Sequence, residues 1–99
     1  MMKKPYMVEF ELPAVFDEDF IALVPEQRKV VNEMLIAGQL QSYALALDRS
    51  KLWAVMMADS ELEVLELIAG MPLCEYMKPY ISELFFYNAS DMVMQFSVN

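Results

Sequence analysis

Leu67–Leu84 reads LIAGMPLCEYMKPYISEL, and in it a helix stops, a compact apolar turn follows and a strand begins. Upstream, Ser60 and Glu63 form a capping box, and Leu62, Leu65, Leu67 and Ile68 have helical spacing. Gly70 stands where a helix commonly exits through a left-handed residue, and Pro72 forbids continuation. Beyond Pro79, Ile81, Glu83, Phe85 and Tyr87 alternate with Ser82, Leu84 and Phe86, which is the period of a strand running from Tyr80 to Tyr87.

Working outward, Tyr6, Val8, Phe10 and Leu12 alternate with Met7, Glu9 and Glu11, predicting a first strand that ends at Pro13. Asp17 to Ala37 carries acids in its first turn and apolar residues at Phe20, Leu23, Val24, Val31, Met34 and Leu35, predicting a long helix closed by Gly38. Pro25 lies inside it and is expected to kink the helix or split off its first turns. Leu40–Leu47 and Lys51–Ala58 read as strands joined by a turn at Asp48, Arg49 and Ser50. With the helix Glu61–Ala69, the order is βαββαβ. The fold class is therefore α+β: a ferredoxin-like four-stranded antiparallel sheet with two helices on one face.

That sheet has a second face with no helix of its own. If Tyr6, Val8, Phe10 and Leu12 meet the helices, the open face carries Met7, Glu9 and Glu11, with Glu83, Phe85 and Tyr87 from the last strand. Either Trp53, Val55 and Met57 or Leu52, Ala54 and Met56 join them, so the third strand is apolar on both sides. The chain is 58% hydrophobic over 99 residues, too much apolar surface for a small domain to bury alone. Two sheets packed face to face would make a dimeric α/β barrel, so a homodimer or larger homo-oligomer is expected in preference to an unusually apolar monomer. Residues 1–88 form the expected domain. Residues 89–99, with Met92, Met94, Phe96 and Val98 alternating, read as an arm or strand on a neighbouring subunit, or as a frayed terminus.

Composition excludes several classes of chemistry. The net charge is −8 from 15 acidic and 7 basic residues, which leaves nothing to drive counterion release, so nucleic acid is not an expected partner. No apolar run approaches the roughly 18 residues of a membrane span, and the opening residues lack a signal peptide's apolar region, so a cytoplasmic protein is expected. The absence of histidine removes Ser-His-Asp and Cys-His catalysis, most zinc sites and a proximal haem histidine. With only Gly38 and Gly70 there is no phosphate loop, and no cofactor or metal is expected. Cys74, the single cysteine, reads as packing, and the ten methionines as adaptable filling.

The Phe10-Glu11-Leu12-Pro13 end of the first strand, the long helix closing at Gly38, and the turn Met71–Met77 with its Pro72-Leu73-x-x-Tyr76-Met77 pattern resemble muconolactone delta-isomerases. The resemblance covers the chain to about Asn88. It implies the dimeric barrel fold and a reaction that moves a double bond in an unsaturated lactone, which needs an acid/base, a holder for the enolate oxygen and a cation for the substrate carboxylate. The family's histidine position is matched here by Glu11, its basic position by Met7 and its aromatic-arginine pair by Ala44 and Leu45, while the acidic position survives as Glu9. An isomerase acting on a substrate other than muconolactone is thus the first expectation. Glu11 would be its acid/base, Glu9 and Glu83 would support it, and repulsion among the three would raise a pKa. Met7, Tyr43, Trp53, Phe85 and Tyr87 would contact a small-molecule ligand, with Tyr43, Tyr76 or Tyr87 available to an oxyanion. Alternatively the glutamates lie in water or pair with Lys51, Lys78 or Arg49, and the barrel is a non-catalytic ligand-binding or assembly module. A cofactor-free monooxygenase is the third reading.

Overall fold

The computed structural model describes residues 3–90. Strand β1 (Lys4–Glu11) is followed by helix α1 (Glu18–Ile36), strands β2 (Leu40–Leu45) and β3 (Lys51–Ala58), helix α2 (Glu61–Ala69), a 3-10 turn at Cys74–Tyr76 and strand β4 (Lys78–Glu83). The sheet is antiparallel in the order β2-β3-β1-β4, so the ferredoxin-like βαββαβ arrangement is present. Among the described residues no helix is long and apolar enough to cross a membrane. The expected arm at 89–99 lies almost wholly outside the described residues.

One face of the sheet and the two helices share a single core. Tyr6, Val8 and Phe10 from β1 and Leu52, Ala54, Met56 and Ala58 from β3 pack with Phe20, Val31 and Met34 of α1 and Val64 and Ile68 of α2. The third strand thereby resolves: Trp53, Val55 and Met57 take the open face, opposite Glu9, Met7 and Pro5.

Three local features differ from the sequence reading, each for a physical reason. Helix α1 runs through Pro25 without being split. Pro25 and Ile21, four residues before it, are both exposed, so water can meet the carbonyl that lost its N–H partner. Gly70 is not left-handed: its φ is −81°, because Gly70 N–H bonds Leu67 O and Met71 N–H bonds Ile68 O, tightening the helix end into 3-10 turns. Of the two glycines, only Gly38 takes a positive φ, at +77°.

Strand β4 is shorter than Tyr80–Tyr87 and ends at Glu83. Leu84 N–H still donates to Pro5 O at 2.9 Å, but proline has no N–H to return the bond and β1 begins at Lys4, so the ladder stops. The same parity directs the nitrogen of Pro79, paired with Phe10, toward the free edge, where its missing N–H costs no ladder bond.

The two glycines should therefore respond differently to alanine. Gly38→Ala, in open space but at φ +77°, is expected to cost about 1 kcal/mol or more. Gly70→Ala, whose Cβ would meet only Leu67 O at 3.4 Å, is expected to be neutral or slightly stabilising in urea unfolding.

Candidate functional site

The carboxylates singled out by sequence divide between the faces of the sheet. Glu9 and Glu11 stand on the open face of β1, opposite Tyr80 and Lys78 on β4 and Trp53 and Lys51 on β3. Glu83 pairs with Tyr6, a helix-side residue, and reaches Lys4 Nζ at 3.8 Å. The three carboxylates do not converge, because register and not alternation counted along β4 alone sets the face. Met7 and Trp53 share the open face with Glu9. Phe85 and Tyr87 lie beyond the end of β4, and Phe85 is fully exposed.

Glu9 is also held in the wrong direction for an acid/base at neutral pH. Trp53 Nε1 donates to its Oε1 at 2.9 Å and Lys51 Nζ lies 3.5 Å from its Oε2. The Trp53 hydrogen bond, opposed by partial desolvation and aided by the Lys51 charge, holds the carboxyl below its usual range. The expected rise in pKa from clustered carboxylates is thus reversed at this residue. Lys51, Glu11 and Lys78 stand side by side across three strands with Glu9 adjacent, so charges of opposite sign are interleaved on this face.

A half-open apolar hollow lies on the other side of the sheet. A cavity of about 600 Å³ opens between α1, the β2–β3 end of the sheet and the turn after α2. Phe16, Phe20, Val24, Val31, Leu52 and Met77 give it an apolar wall. Asp17 caps α1 by accepting Phe20 N–H at 2.9 Å, which fixes where the helix starts; Phe16 stacks on Phe20 at 4.1 Å, and Tyr76 meets Phe20 edge-on at 5.3 Å.

Tyr43 reaches this cavity through a β-bulge. Leu40 pairs with Met56, but Ser42 pairs with Val55, so Gln41 is an extra residue on β2. Strict alternation from Leu40 would send Tyr43 to the open face; the inserted residue returns Tyr43 and Leu45 to the helix side, opposite Ala54 and Leu52. Tyr43 Oη there meets Gln27 Nε2 at 3.1 Å. Gln27, only 4% exposed, also accepts Leu73 N–H at 3.0 Å and so ties α1 to the turn after α2. Burial pushes the Tyr43 phenol above its ordinary range, and the Gln27 hydrogen bond partly offsets that.

Arg28, Asn32 and Arg49 complete the lining. These are the only two arginines of the chain, and among the described residues neither is in an ion pair. Arg49 occupies the left-handed position of the β2–β3 turn at φ 63°, a turn held by Asp48 Oδ1 accepting from Ser50 N and Oγ at 3.0 and 2.7 Å. A second hollow of about 930 Å³ adjoins the cavity through Leu12, Phe16 and Arg49, and Glu11 and Lys51 lie on it. Among the described residues no carboxylate lines the first cavity.

Sequence reasoning missed Gln27, Arg28, Asn32 and Arg49. A signal existed for Gln27: it is the polar member of the stripe Phe20, Val24, Gln27, Val31, Met34, where a polar side chain must find buried partners. Arg49 looked like a turn residue, and nothing local links it to α1. Compared with known proteins, the chain matches no protein-family model and no curated protein.

Because Glu9 titrates below its unfolded value, the stability it contributes is complete above the ordinary carboxylate value of 4.5 and is lost as pH falls through the folded value. Urea unfolding followed from about pH 7 to about pH 3 should show this acid loss, and it should be shallower in Glu9→Gln and in Trp53→Phe, which removes the main cause of the shift.

Proposed function

We propose that this chain is a small-ligand-binding protein of the muconolactone isomerase-like kind, taking an apolar carboxylate into the space between α1 and the sheet. The observation that carries the reading is the placement of both arginines. In a chain of net charge −8, the two residues best suited to clasp a carboxylate line one apolar cavity and have no ion-pair partner among the described residues. The cationic clamp missing at the family's positions, Met7 and Leu45, has a substitute from α1 and the β2–β3 turn. A volume of about 600 Å³ suits a small organic molecule.

Binding is favoured over isomerisation by what lines the wall. Proton abstraction needs a base within hydrogen-bond reach of the substrate, and the cavity offers two amides and a phenol but no carboxylate among the described residues. Glu11 lies in the adjoining hollow instead, and Glu9 is engaged by Trp53 and Lys51.

Calorimetric titration separates the charge from the apolar contribution. The protein should bind 2-naphthoate more tightly than uncharged 2-methylnaphthalene, and the double change Arg28→Gln, Arg49→Asn should weaken naphthoate about tenfold while leaving methylnaphthalene unchanged. Asparagine tolerates the left-handed backbone at position 49. Equal affinity for both compounds would refute the reading.

Assembly as a homodimer through the open face belongs to the same proposal. Trp53 and Tyr80, 38% and 46% exposed, stand with Met7 and Met57 on a face bordered by interleaved charges that a second copy could match. Light scattering should give a dimer, and Trp53→Glu should give a folded monomer with an unchanged helical circular dichroism signal; a monomeric wild-type protein would defeat this part.

A further inference from the structure

The hydrogen bond between Gln27 and Tyr43 has a fixed direction, set by a third group. A backbone N–H can only donate, and that of Leu73 reaches Gln27 Oε1 at 3.0 Å. The amide oxygen is therefore turned toward Leu73, and the amide nitrogen, which can only donate, is what meets Tyr43 Oη at 3.1 Å. Tyr43 is the acceptor in this pair. Its own hydroxyl hydrogen is left over, and among the described residues no acceptor takes it.

We propose that Tyr43 is a hydrogen-bond donor directed at the ligand, with Gln27 as its positioning residue, and that the ligand carries a carbonyl-type oxygen, as in a ketone, ester, lactone or amide. The inference rests on the reading of the α1–sheet cavity as a small-ligand site and specifies what that ligand presents to it. A hydroxyl that accepts one hydrogen bond becomes a stronger donor in the next, and burial keeps the phenol protonated across the neutral range. A purely apolar ligand would displace water from this hydroxyl without replacing its hydrogen bond, so the site discriminates against such molecules. The bulge at Gln41 and the turn that presents Leu73 N–H are both needed for the arrangement, since they deliver the two ends of the relay to Gln27.

The test uses the neutral naphthyl ketone prodan, whose fluorescence moves to longer wavelength when its carbonyl accepts a hydrogen bond. It is titrated into the wild-type protein, Tyr43→Phe, Gln27→Glu and the cavity-filling Val31→Trp. In Gln27→Glu the carboxylate can still accept Leu73 N–H, but its second oxygen now requires a donor, so Tyr43 turns its hydrogen to residue 27 and away from the ligand. Tyr43→Phe and Gln27→Glu are both expected to bind prodan about three- to tenfold more weakly than wild type and with emission at shorter wavelength. Loss in Gln27→Glu with the Tyr43 hydroxyl intact is the signature of positioning. If Gln27→Glu does not fold, Tyr43→Phe decides the donor role alone. Prodan binding that Val31→Trp abolishes but Tyr43→Phe leaves unchanged in affinity and emission overturns the donor assignment while the cavity reading stands. No binding to wild type, or binding indifferent to Val31→Trp, overturns the cavity reading and this inference with it.

Discussion

Strand β1 sits between β3 and β4, hydrogen-bonded on both edges, and its alternation is the constraint that the other elements answer to. Tyr6, Val8 and Phe10 are almost wholly buried against the helices. A slip of one residue in its pairing would drive Met7 and two glutamates into the core, a desolvation cost that holds the register firmly. From that register follow the open-face positions of Glu9 and Glu11, their neighbours Lys51, Trp53, Tyr80 and Lys78, and the placement of Glu83 on the opposite side. The early end of β4 belongs to the same strand, since Pro5 cannot complete its pair with Leu84.

Against this rigid centre, the cavity is built from the periphery: the stretch of α1 from Phe20 to Asn32, the bulged edge strand β2, the hairpin turn and the turn after α2. Gln27 joins three of these parts. Among the described residues it is the buried polar residue of an otherwise apolar core, and it can be buried because a backbone N–H and a phenol oxygen satisfy both ends of its amide. A polar group with both partners in place specifies one packing of α1 on the sheet, because other helix rotations would leave the amide unpaired. The same fixed geometry gives the cavity a directed donor, with the arginines beside it supplying charge.

Much of the fold was legible in the chain. The alternation of β1, the capping box at Ser60 and Glu63, the Asp17 start of α1 and the Gly38 exit each act over a few residues, so local spacing reports them. The apolar turn at Met71–Met77 was recognisable for the same reason, although Gly70 leaves its helix through tight right-handed turns. The site was far less legible. Glu9 and Glu11 were correctly grouped, and their chemical promise then depended on neighbours distant in the chain: Trp53 lies 44 positions from Glu9 and turns its carboxyl into a hydrogen-bond acceptor with a lowered pKa.

Local periodicity, capping and breaker residues were thus enough to establish the element order, the buried face of β1 and the antiparallel ferredoxin-like sheet. Only the tertiary structure decided where the apolar hollow lies and which residues meet in it. The bulge at Gln41 moved Tyr43 from the open face of the sheet to the helix side, and the pairing of β4 with β1 moved Glu83 the same way. Helix docking brought Arg28 to the same wall as Arg49 from the hairpin. The physical reason is that a strand's side-chain direction has a period of two, so one inserted residue or one step of register reverses it, and no feature within a single strand reports its partner's register.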